Sequence, residues 1–261
     1  MKIAITAALV AVFLASFLSI GCVREGVPGS GKRTTRELEF IDFTSVEVGS
    51  AFEVEIVRAD SYRISVTADD NLFEYIQVSK EGETLKIGLK ILPLRPLFTT
   101  LRAEISMPRI YDLDLSGATK GTVSGFISTE NLGIEVSGAS SLDLVEMSAI
   151  DIEFELSGAS RARGDITAGG DARLNLSGAS SVQLQGSAGD LVIDASGASR
   201  VGLDSFPVAS ADVKLSGASG ATVNLDGRLD ADLSGASRLN YIGEPTMGDI
   251  HTSGGSSVSK K

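Results

Sequence analysis

The sequence predicts an all-β protein: a parallel β-solenoid (β-helix) of about eight ~20-residue coils, with an N-terminal antiparallel β section acting as its cap. Three observations predict it. The string Ser-Gly-Ala recurs with its serine at positions 116, 137, 157, 177, 196, 216 and 234, and a Ser-Gly-Gly variant follows at 253. The intervals are 21, 20, 20, 19, 20, 18 and 19 residues. Around each motif apolar and polar residues alternate, as in Ile152-Glu153-Phe154-Glu155-Leu156 before it and Val182-Gln183-Leu184 after it. Period two with one apolar face is a half-buried strand, and a helical period is missing from this half. The motif glycine always holds the same place, which marks a corner needing positive φ or an approach too close for a Cβ. A β-propeller is the main competitor, but its blades need about 40 residues and four strands. Eight coils stacked about 4.8 Å apart make a rod of roughly 38 Å.

The elements divide as 1–22, 23–34, 35–109 and 110–261. Residues 3–21 are an uncharged apolar stretch after Lys2, ending in Leu18-Ser19-Ile20-Gly21-Cys22. This resembles a bacterial lipoprotein signal peptide, which implies lipid attachment at Cys22, the only cysteine, after cleavage. A span of this length also reads as an uncleaved membrane anchor. Val23 stands where such lipoproteins often carry an inner-membrane retention Asp, which favours the outer membrane. Residues 23–34, rich in Gly, Pro and Ser, read as a tether. The section 35–109 carries strand-like runs at 52–58, 63–68, 85–90 and 101–107, with a hairpin turn at Glu81-Gly82-Glu83-Thr84. Pro93 and Pro96 mark 91–99 as an exposed loop. The expectation is that this section is antiparallel and shields the open edge of the first coil.

The order of these features is itself informative. Phe43-Thr44-Ser45-Val46-Glu47-Val48, then Phe52-Glu53-Val54-Glu55-Ile56, then Met107-Pro108 and many Ser-Gly-Ala-Ser coils follow a secretion signal. In this the chain resembles the DUF2807 family, described as auto-transporter adhesins with a head GIN domain, over roughly 35–258. The resemblance implies a β-solenoid of the cell envelope and brings no catalytic residues.

Composition excludes several functions. One Cys allows no internal disulfide and no CxxC pair, and one His excludes a multi-histidine metal site within the chain. A net charge of −11 with 5% aromatics argues against nucleic acid. No cofactor or metal is expected.

Equivalent positions of stacked coils form columns. Two and four residues before each motif serine the sequence places an acidic face that includes Asp114, Glu135, Glu153, Glu155, Asp212, Asp230 and Asp232, broken by Arg173 and Lys214. It reads as a solvated face, or as a cation-binding one, although no DxDxDG loop exists. Four residues after the serine basic and small side chains alternate: Lys120, Ser141, Arg161, Ser181, Arg200, Gly220, Arg238, Ser257. Lys120, Arg161, Arg200 and Arg238 form either a comb for an anionic glycan or the cationic half of intramolecular pairs reaching the acidic columns. Two hydroxyl columns, at the motif serine and three residues later, lack a base at any repeating offset and read as ladders for corner backbone groups. His251 stands alone in the terminal coil.

The expected function is non-enzymatic: a lipid-anchored envelope protein offering a binding, adhesion or scaffolding surface to a glycan or an envelope protein. Assembly through the open C-terminal coil, 249–261, is one alternative. A polysaccharide lyase or hydrolase is another, but such enzymes need a localised cluster and long cleft-forming loops that 110–261 lacks.

Overall fold

The computed structural model describes residues 26–90, 95–97 and 100–261. It is all-β apart from one short 3₁₀ turn at Asp70–Leu72. Each coil contributes two strands, one before and one after its Ser-Gly-Ala corner, and these lie in two facing sheets of eleven and twelve strands. We call one such strand pair a rung. Rungs run from Asp112–Leu115 with Lys120–Ser124 to Thr246–Thr252 with Ser257–Lys260, parallel throughout and in the register that the motif spacing demands. The solenoid is thus a flattened two-sided rod, as the period of about 20 residues requires for two strands and two turns.

Alternation in the sequence becomes inside and outside. Leu113 and Leu115, Ile134 and Val136, Phe154 and Leu156 are buried from one sheet, and Leu142 and Leu144, Val182 and Leu184, Val201 and Leu203 from the other. They belong to a single apolar core running from Phe43 to Leu239. Each fully buried side chain of this size contributes ~1.5–3 kcal/mol, so the core is the dominant favourable force along the whole rod.

The corner explains the motif. Gly158 has φ +74, and a Cβ there would lie 2.4 Å from the Gly138 carbonyl oxygen of the rung below. The glycine therefore serves both purposes its position suggested. The close approach lets the Ala159 N–H donate to that carbonyl at 2.7 Å, a bond repeated rung after rung. One residue on, the second hydroxyl column is buried at Thr119, Ser140, Ser160, Ser180, Ser199, Ser219 and Ser237. Ser180, Ser199 and Ser237 each donate at 2.7 Å to the carbonyl of their own motif serine. Burial would strand that carbonyl without a partner, and the hydroxyl supplies one.

The N-terminal section is antiparallel at its outer layer. Arg33–Leu38 pairs antiparallel with Arg63–Asp69, which pairs antiparallel with Arg102–Met107, and Ile76–Glu81 forms a hairpin with Thr84–Leu89 through Gly82. Inside that layer the parallel stack continues for two more rungs. Ser45–Val48 and Glu53–Arg58 pair parallel with the first Ser-Gly-Ala rung on one side. On the other side they pair parallel with Thr84–Leu89 and Arg102–Met107. The earlier segment thus sits between the later one and the repeats. Its corner, Gly49-Ser50-Ala51, lacks the motif and places Ser50 (φ 66) and Ala51 (φ 61) in the left-handed region.

Two expectations for irregular chain meet paired backbone instead. Gly26–Pro28, within the segment read as a tether, pairs parallel with Arg95–Leu97, within the segment read as a loop. Cys22 and the apolar segment before it lie outside the described residues.

Candidate functional site

Strand registry turns the expected columns into rows of facing residues. Lys120 faces Ser141, Ser141 faces Arg161, Arg161 faces Ser181, and Ser181 faces Arg200. Arg200 then faces Gly220, Gly220 faces Arg238, and Arg238 faces Ser257. Toward the cap the row continues into Glu53 and Arg102. The four cations are exposed. Among the described residues none of them lies within 4.0 Å of a carboxylate, whereas Arg163, Arg173, Arg228 and Lys261 elsewhere on the rod all do. Among the described residues this row does not make the intramolecular pairs weighed from sequence. The reason is geometric: the corner separates the row from the acidic face, and Arg161, Arg200 and Arg238 have small neutral neighbours above and below, while Lys120 stands between Ser141 and Glu53 without coming within 4.0 Å of the Glu53 carboxylate. Arg161 Nε donates only to Ser181 Oγ, at 3.2 Å.

The same face carries a second row two residues further along each strand: Glu55, Thr122, Asp143, Arg163, Gln183, Gly202, Thr222 and Asn240. Arg163 neutralises Asp143 in a two-pronged ion pair. Between the two rows runs a shallow groove of about 640 Å³, bordered by Arg161, Arg163, Arg200 and Arg238 and floored where Gly202 and Gly220 leave space. Arg163 and the amides Gln183 and Asn240 were not singled out from sequence. Their signal was a second column at a fixed offset, diluted by its mixed chemistry.

The opposite sheet carries the acidic face. Glu47, Asp114, Glu135 and Glu155 stand on consecutive rungs, followed by Asn175, Asp194, Lys214, Asp232 and His251. Partial burial raises the Asp114 carboxyl to about 6, with Glu135 and Glu47 adding to the rise and Lys86 opposing it. Its Oδ1 is buried and has no hydrogen-bond donor among the described residues. Lys86 closes the column toward the cap, held by Glu47 at 3.1 Å and Glu81 at 3.2 Å. Glu153 lies one column over, 4.0 Å from Arg173. Asp212 faces Asp230, whose carboxylate accepts two bonds of 2.6 Å from Arg228, and that pairing lowers its pKa. Asp232 stands between Lys214 and His251. The seven predicted acidic residues thus form two groups, one beside the cap and one near the far end. Among the described residues no three His, Cys, Asp or Glu side chains converge as a metal site.

A further acidic ladder escaped the sequence reading. Asn131, Asp151, Asp171 and Asp190 recur at the turn opposite the motif. Asp151 accepts the Asp171 N–H at 2.9 Å, and Asp171 accepts the Asp190 N–H at 2.9 Å. Asn131 and these carboxylates close the second turn of successive middle coils, and Ser210 takes that place on the next. In the buried hydroxyl column Thr119, Ser180, Ser199, Ser219 and Ser237 donate to the carbonyl of their own motif serine, while Ser160 donates to Ser180 Oγ. Within the described residues no helix is long and apolar enough to cross a membrane.

Comparison with known proteins agrees with this architecture. Three crystal structures superpose along almost their whole length. A "putative adhesin" from Parabacteroides merdae has TM-score 0.83 at 16% identity, covering 91% of this chain and 99% of that one. A "putative adhesin" from Parabacteroides distasonis has TM-score 0.82 at 19% identity, covering 91% and 100%. A "putative lipid binding protein" from the same organism has TM-score 0.74 at 21% identity, with the same coverage. At such identities the likeness is one of fold. No curated protein matches the sequence. Residues 42–245 match the family model described as "Putative auto-transporter adhesin, head GIN domain", and the chain belongs to that family, DUF2807.

Proposed function

We propose that the protein is a non-enzymatic binding rod of the cell envelope that holds an anionic glycan along Lys120, Arg161, Arg200 and Arg238. One observation carries this reading: four cations aligned at every second rung, three of them beside a groove, and none neutralised by a carboxylate among the described residues. An exposed cation left unpaired on a chain of net charge −11 is available to an external anion. The family description, which names adhesins, is in keeping with it. The grooves are shallow and run along regular coils, which suits binding better than hydrolysis or elimination. The test is binding of the full chain, in neutral detergent, to an array of acidic and neutral glycans at low and high salt. Replacing the four cations by Gln abolishes the salt-sensitive component; unchanged affinity would reject the reading.

The rod is tethered to the membrane by lipid on Cys22, most simply at the outer membrane. Gly26–Pro28, the first described strand, pairs at the cap end of the rod, opposite the last coil. Labelled palmitate is expected to enter the parent chain and not Cys22→Ser, with the parent alone losing residues 1–21; an unlabelled, full-length parent would favour an uncleaved anchor.

A second reading, end-to-end assembly, is favoured by a different observation. Thr246–Thr252 and Ser257–Lys260 are the edge strands of both sheets at the far end, and no described strand covers them.

A further inference from the structure

The comb has a spacing as well as a sign. Registry places exactly one neutral rung between neighbouring cations, so the charges recur every two strand separations, about 9.6 Å. From Lys120 to Arg238 the row spans six separations, about 29 Å. The intervening residues Ser141, Ser181 and Gly220 are small, so the row is a series of posts with open gaps. The second row offers mostly neutral hydrogen-bonding groups alongside, with Gln183, Thr222 and Asn240 two residues along their strands from the first. Such groups suit sugar hydroxyls, and Arg163 is already committed to Asp143.

Resting on the reading above, we propose that the comb selects an acidic polysaccharide carrying one carboxylate per disaccharide, lying along the rod axis across the strands. In an extended chain of pyranose rings, two sugars advance by about the distance between two posts. Each carboxylate then meets a cation while the neutral sugar between them lies over Ser141, Ser181 or Gly220. A polymer charged on every ring would set each second carboxylate over a neutral rung, where it loses water and gains no counter-charge. On the cap side the next residue is Glu53, which repels a polyanion, and Arg102 beyond it is already paired with Glu55 and Glu104. Four posts therefore define a footprint of four disaccharides.

The test uses the full chain in neutral detergent. The probes are size-defined hyaluronan oligosaccharides, with one carboxylate per disaccharide, and oligogalacturonates, with one on every ring. Affinity for the alternating series is expected to climb with each disaccharide up to the fourth and then level off. Oligogalacturonates of equal charge number are expected to bind about tenfold more weakly. A second variant moves one post without changing net charge. Ser181→Arg combined with Arg200→Ser shifts a cation by one rung, from an exposed site to a half-buried one, and is expected to lower affinity for the alternating octasaccharide about tenfold while the protein still melts cooperatively. Equal affinity for both polymers, no break at four disaccharides, or full affinity in the shifted variant overturns the spacing rule while leaving anionic binding in place. No low-salt binding to either polymer overturns both.

Discussion

At the scale of single residues, the corner glycines separate two costs that usually travel together. Gly158 combines φ +74 with a Cβ position 2.4 Å from a main-chain oxygen. Gly125 has φ +79, but its nearest neighbour is 3.7 Å away. Gly125→Ala is therefore expected to cost only the left-handed term, about 1–2 kcal/mol. Gly158→Ala is expected to cost at least about 2 kcal/mol more, because backbone must move to admit the methyl group. Chemical denaturation of the two variants checks the difference; equal losses would mean that conformation alone explains the motif. Asp114 makes a different kind of prediction. Its carboxyl is raised from 3.8 to about 6 by burial and by Glu135 and Glu47. The folded chain thus holds a proton that the unfolded chain gives up, and stability is lost as pH rises from about 3.8 through about 6. Asp114→Asn removes the penalty. Its melting temperature should exceed that of the parent at pH 7.5 by a few degrees, with the gap closing toward pH 4. A gap independent of pH would show that Asp114 is ionised without cost.

At the scale of elements, the two kinds of turn differ in how openly the sequence shows them. The Ser-Gly-Ala corner was legible because one residue type, glycine, has no substitute at positive φ against a neighbouring carbonyl. The Asn131, Asp151, Asp171 and Asp190 ladder keeps the same spacing over four coils but was not legible, because it gives way to Ser210 and because Asp also occupies the solvated face and carries no special backbone signature. The rung formed by Ser45–Val48 and Glu53–Arg58 was hidden for two reasons. Its corner lacks the motif, and nothing local tells that it slots between a later segment and the repeats. The comb was legible as a column, whereas its lack of carboxylate partners is a property of three-dimensional distance alone. That hidden corner is also where stability can be gained. Ala51 is exposed and sits at φ 61, so Ala51→Gly relieves about 1 kcal/mol of left-handed strain, reduced in part by the greater freedom of glycine in the unfolded chain. A thermal melt should show a modest rise; a fall would mean that the unfolded-state term dominates.

At the scale of the molecule, the two ends of the rod are unequal, and the inequality decides how copies can meet. Near the cap the outermost strands, Arg33–Leu38 and Ile76–Glu81, are antiparallel additions that terminate the parallel stack. At the far end no described strand lies beyond Thr246–Thr252 or Ser257–Lys260, and the core beneath them thins to Tyr241, Ile250 and Val258, which are only partly buried, with Met247 44% exposed. Lys260 and Lys261 would discourage edge pairing if they stood free, but they fold back onto Glu244 and Asp204. An edge with apolar side chains and its charges already satisfied is the kind that accepts another strand. Two copies meeting end to end about a two-fold axis would pair both edges antiparallel and bury the thin core of each. The full chain in detergent is therefore expected to sediment as a dimer that dissociates on dilution. Ile250→Lys with Val258→Lys places inward-pointing charge at that end and should give a monomer at every concentration, with glycan binding along the comb unchanged. A parent chain that is monomeric throughout would leave the comb as the rod's working surface and the open edges as a tolerated end.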